Sequence, residues 1–78
     1  MPSIRIEGFR LIVNTRDERG HPPHVHALKA GTSVVIGLDE QLTPRRLKEM
    51  HKRDVARARE LVAENYVRLM EWWLKYNG

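Results

Sequence analysis

The 78-residue chain has no cysteine, and only 6% of its residues are aromatic. Without thiols, no disulfide can staple the fold, and Cys-based zinc sites and thiol chemistry are excluded. Four histidines are left as the soft metal ligands. The five glycines are scattered and form no phosphate-cradling loop. Ser3 and Ser33 are the only serines, and neither lies in a Gly-x-Ser-x-Gly elbow. No apolar run approaches the roughly 20 residues of a membrane span, so no membrane contact is expected. The N-terminus lacks a basic, then apolar, then small-residue pattern, which makes a cytoplasmic location the default expectation. The length is too small for a Rossmann domain or a TIM barrel. It predicts a single domain over 1–78 with a thin core. No cofactor is expected.

What the chain does have is basic charge, unevenly placed. The formal net charge is +4. Residues 1–43 carry five basic and five acidic side chains, whereas residues 44–78 carry nine basic and five acidic. The density peaks over Arg45, Arg46, Lys48, Lys52, Arg53, Arg57 and Arg59, against Glu49 and Asp54. Such an excess suits an anionic partner, either nucleic acid or an acidic protein face. It also suits a solvated helix face that serves only solubility.

Hydrophobic alternation marks the first half as strands. Short strands are predicted at about 3–7 and 9–14 around Gly8, then His24 to Lys29, and Thr32 to Leu38 after an Ala30-Gly31 turn. Residues 14–23, rich in Asn, Asp, Gly and Pro, form a connecting loop. In the second half, Thr43-Pro44 has the form of an N-cap followed by proline at the first helical position. Val55, Ala58, Leu61, Val62, Tyr66, Leu69, Met70, Trp73 and Tyr76 share one helical face. A single helix from Pro44 to Tyr76 would reach about 50 Å, too long for so small a sheet. A break near residue 53 is therefore expected, with Asp54 able to cap the second piece. The fold class is thus α+β: an antiparallel sheet of three to four short strands, with one short and one long C-terminal helix. Residues 1–43 form the β-meander and residues 44–78 the helical part.

The most distinctive string is His21-Pro22-Pro23-His24-Val25-His26. On a strand, His24 and His26 project to one face with Cα atoms about 6–7 Å apart, and Val25 points the other way. Three readings are open. The imidazoles can be structural, hydrogen-bonded on an ordinary surface. They can contact or act on a phosphate backbone. They can clamp a metal, with His21, Asp39, Glu40 or His51 completing the set. Asp39 and Glu40 are adjacent on an extended segment, so they point apart and make a poor acid–base pair.

The basic segment adds a second constellation. On a helix, Arg45, Lys48, Lys52 and Arg59 would fall within about a 60° arc and could track phosphates. Arg46, Arg53 and Arg57 would form a second line. No helix-turn-helix glycine or Asn/Gln-rich helix start accompanies them, so backbone contact is expected rather than base readout. Of the Trp72-Trp73 pair, Trp73 is assigned to the core. Trp72 is placed at the rim, where it either packs or anchors a partner.

Several of these strings together resemble a known family. Met1-Pro2-Ser3-Ile4, Gly8-Phe9-Arg10 and above all Pro22-Pro23-His24-Val25-His26 look like the domain of unknown function 4160 family of small bacterial proteins. The Ser33–Asp39 run, Pro44-Arg45-Arg46 and a C-terminal helix bearing Trp73 fit as well. The stretch between Pro44 and Trp73 is about two helical turns longer than the resemblance leads one to expect. The resemblance implies a small sheet with a C-terminal helix and no assigned activity. It also implies membership in two-gene, toxin–antitoxin-type pairs.

The leading functional expectation is a binding module that contacts a cognate small protein or a nucleic-acid backbone. Arg45, Lys48, Lys52 and Arg59 supply its charge, and His24 and His26 the sheet-side contact. One alternative is a small metal-independent ribonuclease or phosphotransfer enzyme with His24 and His26 as base and acid. The other is a metal-binding domain. A homodimer seated on Leu28, Val34 and Ile36 is a further expectation.

Overall fold

The structure is a computed structural model that describes residues 2–13 and 22–77. Five strands precede two helices: β1 (Ser3–Ile6), β2 (Phe9–Ile12), β3 (His24–Lys29), β4 (Thr32–Gly37), β5 (Pro44–Lys48), α1 (Lys52–Glu64) and α2 (Tyr66–Asn77). The strands form one antiparallel sheet in the order β1-β2-β3-β4-β5. The protein is therefore α+β, with an antiparallel sheet and two C-terminal helices.

Two tight turns set the first four strands. Glu7-Gly8 has φ of 53° and 81°, and Ala30-Gly31 has 48° and 79°. Positive φ at both central residues is the hairpin geometry that matches strand twist, and glycine takes its share without cost. The resulting registers pair Ile4 with Leu11, Leu11 with Ala27, and Ala27 with Val34. These side chains share one face with Phe9, Val25 and Ile36. The helices lay Ala58, Leu61, Val62, Leu69 and Trp73 against that face, and together they make a continuous core. At about 25 cal/mol per Å² of apolar surface removed from water, this burial is the main stabilising term.

Residues 43–53 depart from expectation. They do not begin a helix: Pro44–Lys48 is a fifth strand, pairing Ile36 with Pro44 and Val35 with Arg45. Proline suits an edge strand as well as a helix start, because both leave its missing N–H unneeded. Here the hydrogen bonds of the β4–β5 turn decide. The Asp39 carboxylate accepts from the N–H groups of Gln41 (3.0 Å) and Thr43 (3.2 Å), and Thr43 O accepts from Gly37 N–H (3.0 Å). Thr43 is thereby held as the return of a hairpin. The boundary between the β part and the helical part thus moves from 43/44 to about residue 51.

The helices also differ from the expected short and long pair, with 13 and 12 residues. The cap of α1 is His51, whose ring Nδ1 accepts from Arg53 N–H at 3.0 Å. Asp54 lies in the first turn and pairs with Lys29 at 3.2 Å. The break comes at Asn65 instead of residue 53. Its backbone N–H is shared among the carbonyls of Leu61, Val62 and Ala63, and its side-chain amide donates to Leu61 O. This local competition for carbonyls ends α1. Tyr66, just past the break, donates its hydroxyl to Leu38 O at 2.8 Å and ties α2 to the sheet.

Other expectations are also corrected. Tyr76, assigned to the apolar face, is 42% exposed. Val34 and Ile36, offered as a dimer seat with Leu28, have no exposed surface because the helices cover them. Among the described residues, no helix is long and apolar enough to cross a membrane.

Candidate functional site

The sheet face that bears His24 and His26 carries the site. The registers align Ser3, Ile12, His26, Val35 and Arg45 in one row across all five strands. His24 lies one pleat away on β3, opposite Gly37. Thus Val25 and Ala27 turn into the core while His24 and His26 turn away from it, as the alternation requires.

The two imidazoles meet edge to face, with ring centroids 5.3 Å apart and planes at 70°. His24 Nδ1 donates to Pro22 O at 2.9 Å, so in the neutral ring Nε2 carries the lone pair. The same ring lies 4.9 Å from that of Trp73, which joins the site to the helical layer. Pro23 holds this end of β3 in place: its carbonyl accepts from Leu38 N–H at 2.8 Å.

The other wall is built by the β4–β5 connection. A Cβ on Gly37 would lie 2.7 Å from Asp39 Oδ2, so a larger residue there would force the Asp39 carboxylate to shift. Loss of water pushes the Asp39 carboxyl upward, but the N–H groups of Thr43, Gln41 and Leu42 and the Thr43 hydroxyl outweigh it. The net effect holds the group below the usual carboxylate range. The result is a pocket of about 210 Å³ whose lining includes His24, His26, Val35, Asp39, Arg45 and Arg46. It is smaller than the ~300–1,000 Å³ of pockets that enclose whole ligands, so it fits a small charged group on a larger molecule.

The strand geometry around Arg46 explains why two consecutive arginines reach one pocket. Val35 pairs with Arg45, and the next bridge joins Ser33 to Glu49. That second bridge is an isolated parallel one, so β5 leaves the antiparallel ladder after Arg45. Arg46 and Glu49 take φ of 47° and 57° there, a left-handed conformation that costs a non-glycine residue about 1–2 kcal/mol.

Of the expected site residues, His24, His26 and Arg45 come together. Lys48 is exposed on β5 and lines neither this pocket nor the groove beside it. Lys52 and Arg59 line that groove, between β5 and α1, with Arg45 and Arg46. The helical stripe linking all four basic residues does not exist, because Arg45 and Lys48 are on a strand. Arg59 also has structural work: its Nε and Nη2 donate to Leu42 O (3.0 Å) and Gln41 O (2.7 Å). Arg57 is occupied by Glu7, on both Nε and Nη2, with Glu60 and Glu64 nearby. The hydrogen bond and charge of Arg57 hold the Glu7 carboxyl below its ordinary range, against a smaller upward push from burial. By contrast, Arg45, Arg46 and Lys52 make no ion pair among the described residues. Arg46 is a pocket residue that the helical reading placed on another face, whereas Asp39 was among the residues considered beside the histidines and does line their pocket. The adjacent Arg45-Arg46 pair was the available signal, but a helical reading sends its members to different faces.

As for metal, no group of three or more His, Cys, Asp or Glu side chains that could hold an ion occurs among the described residues. His51 is used as a helix cap and Asp39 as an acceptor for backbone N–H groups. His21 lies outside the described residues.

Comparison with known proteins adds one positive finding. No curated protein and no solved structure matches the chain. The profile of one family, described as a domain of unknown function (DUF4160), matches residues 8–74, which spans every element from β2 to most of α2. The chain therefore belongs to the DUF4160 family.

Proposed function

We propose that the protein is a binding module that grips a phosphate of a nucleic-acid backbone in the pocket between its two histidines and the β4–β5 connection, as one component of a toxin–antitoxin-like pair. The observation that carries this reading is the convergence of His24, His26, Arg45 and Arg46 on one pocket of about 210 Å³. Guanidinium groups favour phosphate oxygens through charge-assisted, bidentate hydrogen bonds, and the second ring of the pair, His26, can add an N–H donor. The excess of basic over acidic side chains in residues 44–78 supports an anionic ligand. Backbone contact fits better than base readout, because the site is a pocket on a sheet and presents no helix to a groove.

Binding is favoured over catalysis by the spacing of the rings. In-line displacement at phosphorus needs the base and the acid on opposite sides of the reacting group. Two imidazoles in edge contact at 5.3 Å leave no room for a phosphate between them.

Fluorescence anisotropy with a labelled single-stranded RNA tests the proposal. Neutralising one phosphate of a single strand predicts an affinity loss of about threefold between 50 and 200 mM salt. Arg45→Ala should weaken binding severalfold and flatten that slope. Unchanged binding by both Arg45→Ala and His26→Ala would remove the pocket from the account. Cleavage of the RNA that disappears in His26→Ala would replace binding with catalysis.

A further inference from the structure

The groove between β5 and α1 has a different chemistry from the histidine pocket. Its volume is about 350 Å³, and Leu47, Val55 and Ala56 give it an apolar floor. Leu47 is 56% exposed, so this floor faces solvent. Arg45, Arg46 and Lys52 stand around it, none with an ion pair among the described residues. Arg59 pins one wall by holding the carbonyls of Gln41 and Leu42. Arg45 and Arg46 line both the pocket and the groove, and the backbone at Arg46 is strained there, with φ of 47°. Strain of this kind persists only where surrounding structure enforces it, and it gathers at functional sites.

We infer that this groove docks an acidic, amphipathic segment of a partner protein, beside the phosphate pocket with which it shares Arg45 and Arg46. The argument is complementarity of two kinds at once. An apolar floor gains from covering with aliphatic side chains, at about 25 cal/mol per Å². Three unpaired cations at the rim gain from carboxylates, which also select against basic partners. A nucleic acid matches only the second requirement. It would need aromatic platforms for its bases, and the groove has no aromatic residue. A protein segment carrying Leu and Glu side chains matches both.

The probes are two labelled peptides of equal length and charge: one of Leu and Glu, and one with every Leu replaced by Ser. Anisotropy should show the Leu/Glu peptide binding at least tenfold more tightly than its Ser counterpart. Its NMR titration should move the amides of Leu47, Lys52, Val55 and Ala56. Leu47→Ser and Lys52→Glu, both at exposed positions and so safe for folding, should each weaken it at least fivefold. His26→Ala should leave it unchanged, which separates this site from the phosphate pocket. Failure of the Leu/Glu peptide to bind overturns the inference. So does equal binding of both peptides, or a single-stranded RNA that moves the groove amides more than the peptide does.

Discussion

The β3–β4 hairpin and the β5–α1 segment are neighbours in the sheet, yet they are specified in opposite ways. Residues 24–37 are specified locally. Val25 and Ala27 alternate with His24, His26 and Leu28, and a two-residue turn with positive φ closes the pair. Residues 44–51 are specified by contacts made elsewhere. They hold an exposed leucine and three cations, one of them the strained Arg46, and their strand exists because β4 has an unpaired edge to fill. The first region makes the scaffold and the second carries most of the site's charge. Local consistency gives way where side chains are set for a ligand.

The largest predicted effect contrasts the two regions directly. Ile36→Ala, fully buried on β4, should cost about 2–5 kcal/mol in urea unfolding. Leu47→Ala on β5 should stay within about 0.5 kcal/mol. Equal costs would break the distinction between scaffold and site.

Next in size is Arg46→Gly. Glycine accepts a φ of 47° without the Cβ penalty, so the variant should be more stable by about 1 kcal/mol. It should bind RNA more weakly because a guanidinium is gone. A destabilised variant would mean that Arg46 is held for packing instead of for a ligand.

The smallest effect concerns pH. Glu7 and Asp39 both have carboxyl groups held below their ordinary values in the fold. Their contribution is therefore fully present above the unfolded pKa of roughly 4. It is lost as pH falls through the lower folded values. Thermal melts should show a shallower acid-side decline for Glu7→Gln than for the unaltered protein. An identical decline would mean that the Glu7–Arg57 pair is energetically silent, as exposed pairs often are.

The comparison also explains what could be read from the chain alone. The β3 and β4 strands and the shared face of His24 and His26 follow from period-two alternation, which needs no knowledge of partners. Pro44-Arg45-Arg46-Leu47-Lys48 has no such pattern. Thr43-Pro44 is equally good as a helix cap or as the entry to an edge strand, and the Gly37–Thr43 hydrogen bond that decides between them ties the end of β4 to the turn before β5. The helix cap passed to His51, outside the usual Ser, Thr, Asp and Asn set. Asn65 was visible as a polar residue on the apolar edge, but only its bond to Leu61 O makes it the break. The pocket was half legible for the same reason: its histidine wall is local and its arginine wall is not.

An NMR titration of the isotope-labelled protein with a short single-stranded RNA tests the central claim most directly. The account predicts the largest amide shifts at His24, His26, Gly37 and Arg45, reduced by added salt. Shifts centred on the groove at Val55 and Ala56, or none around the two histidines, would contradict it.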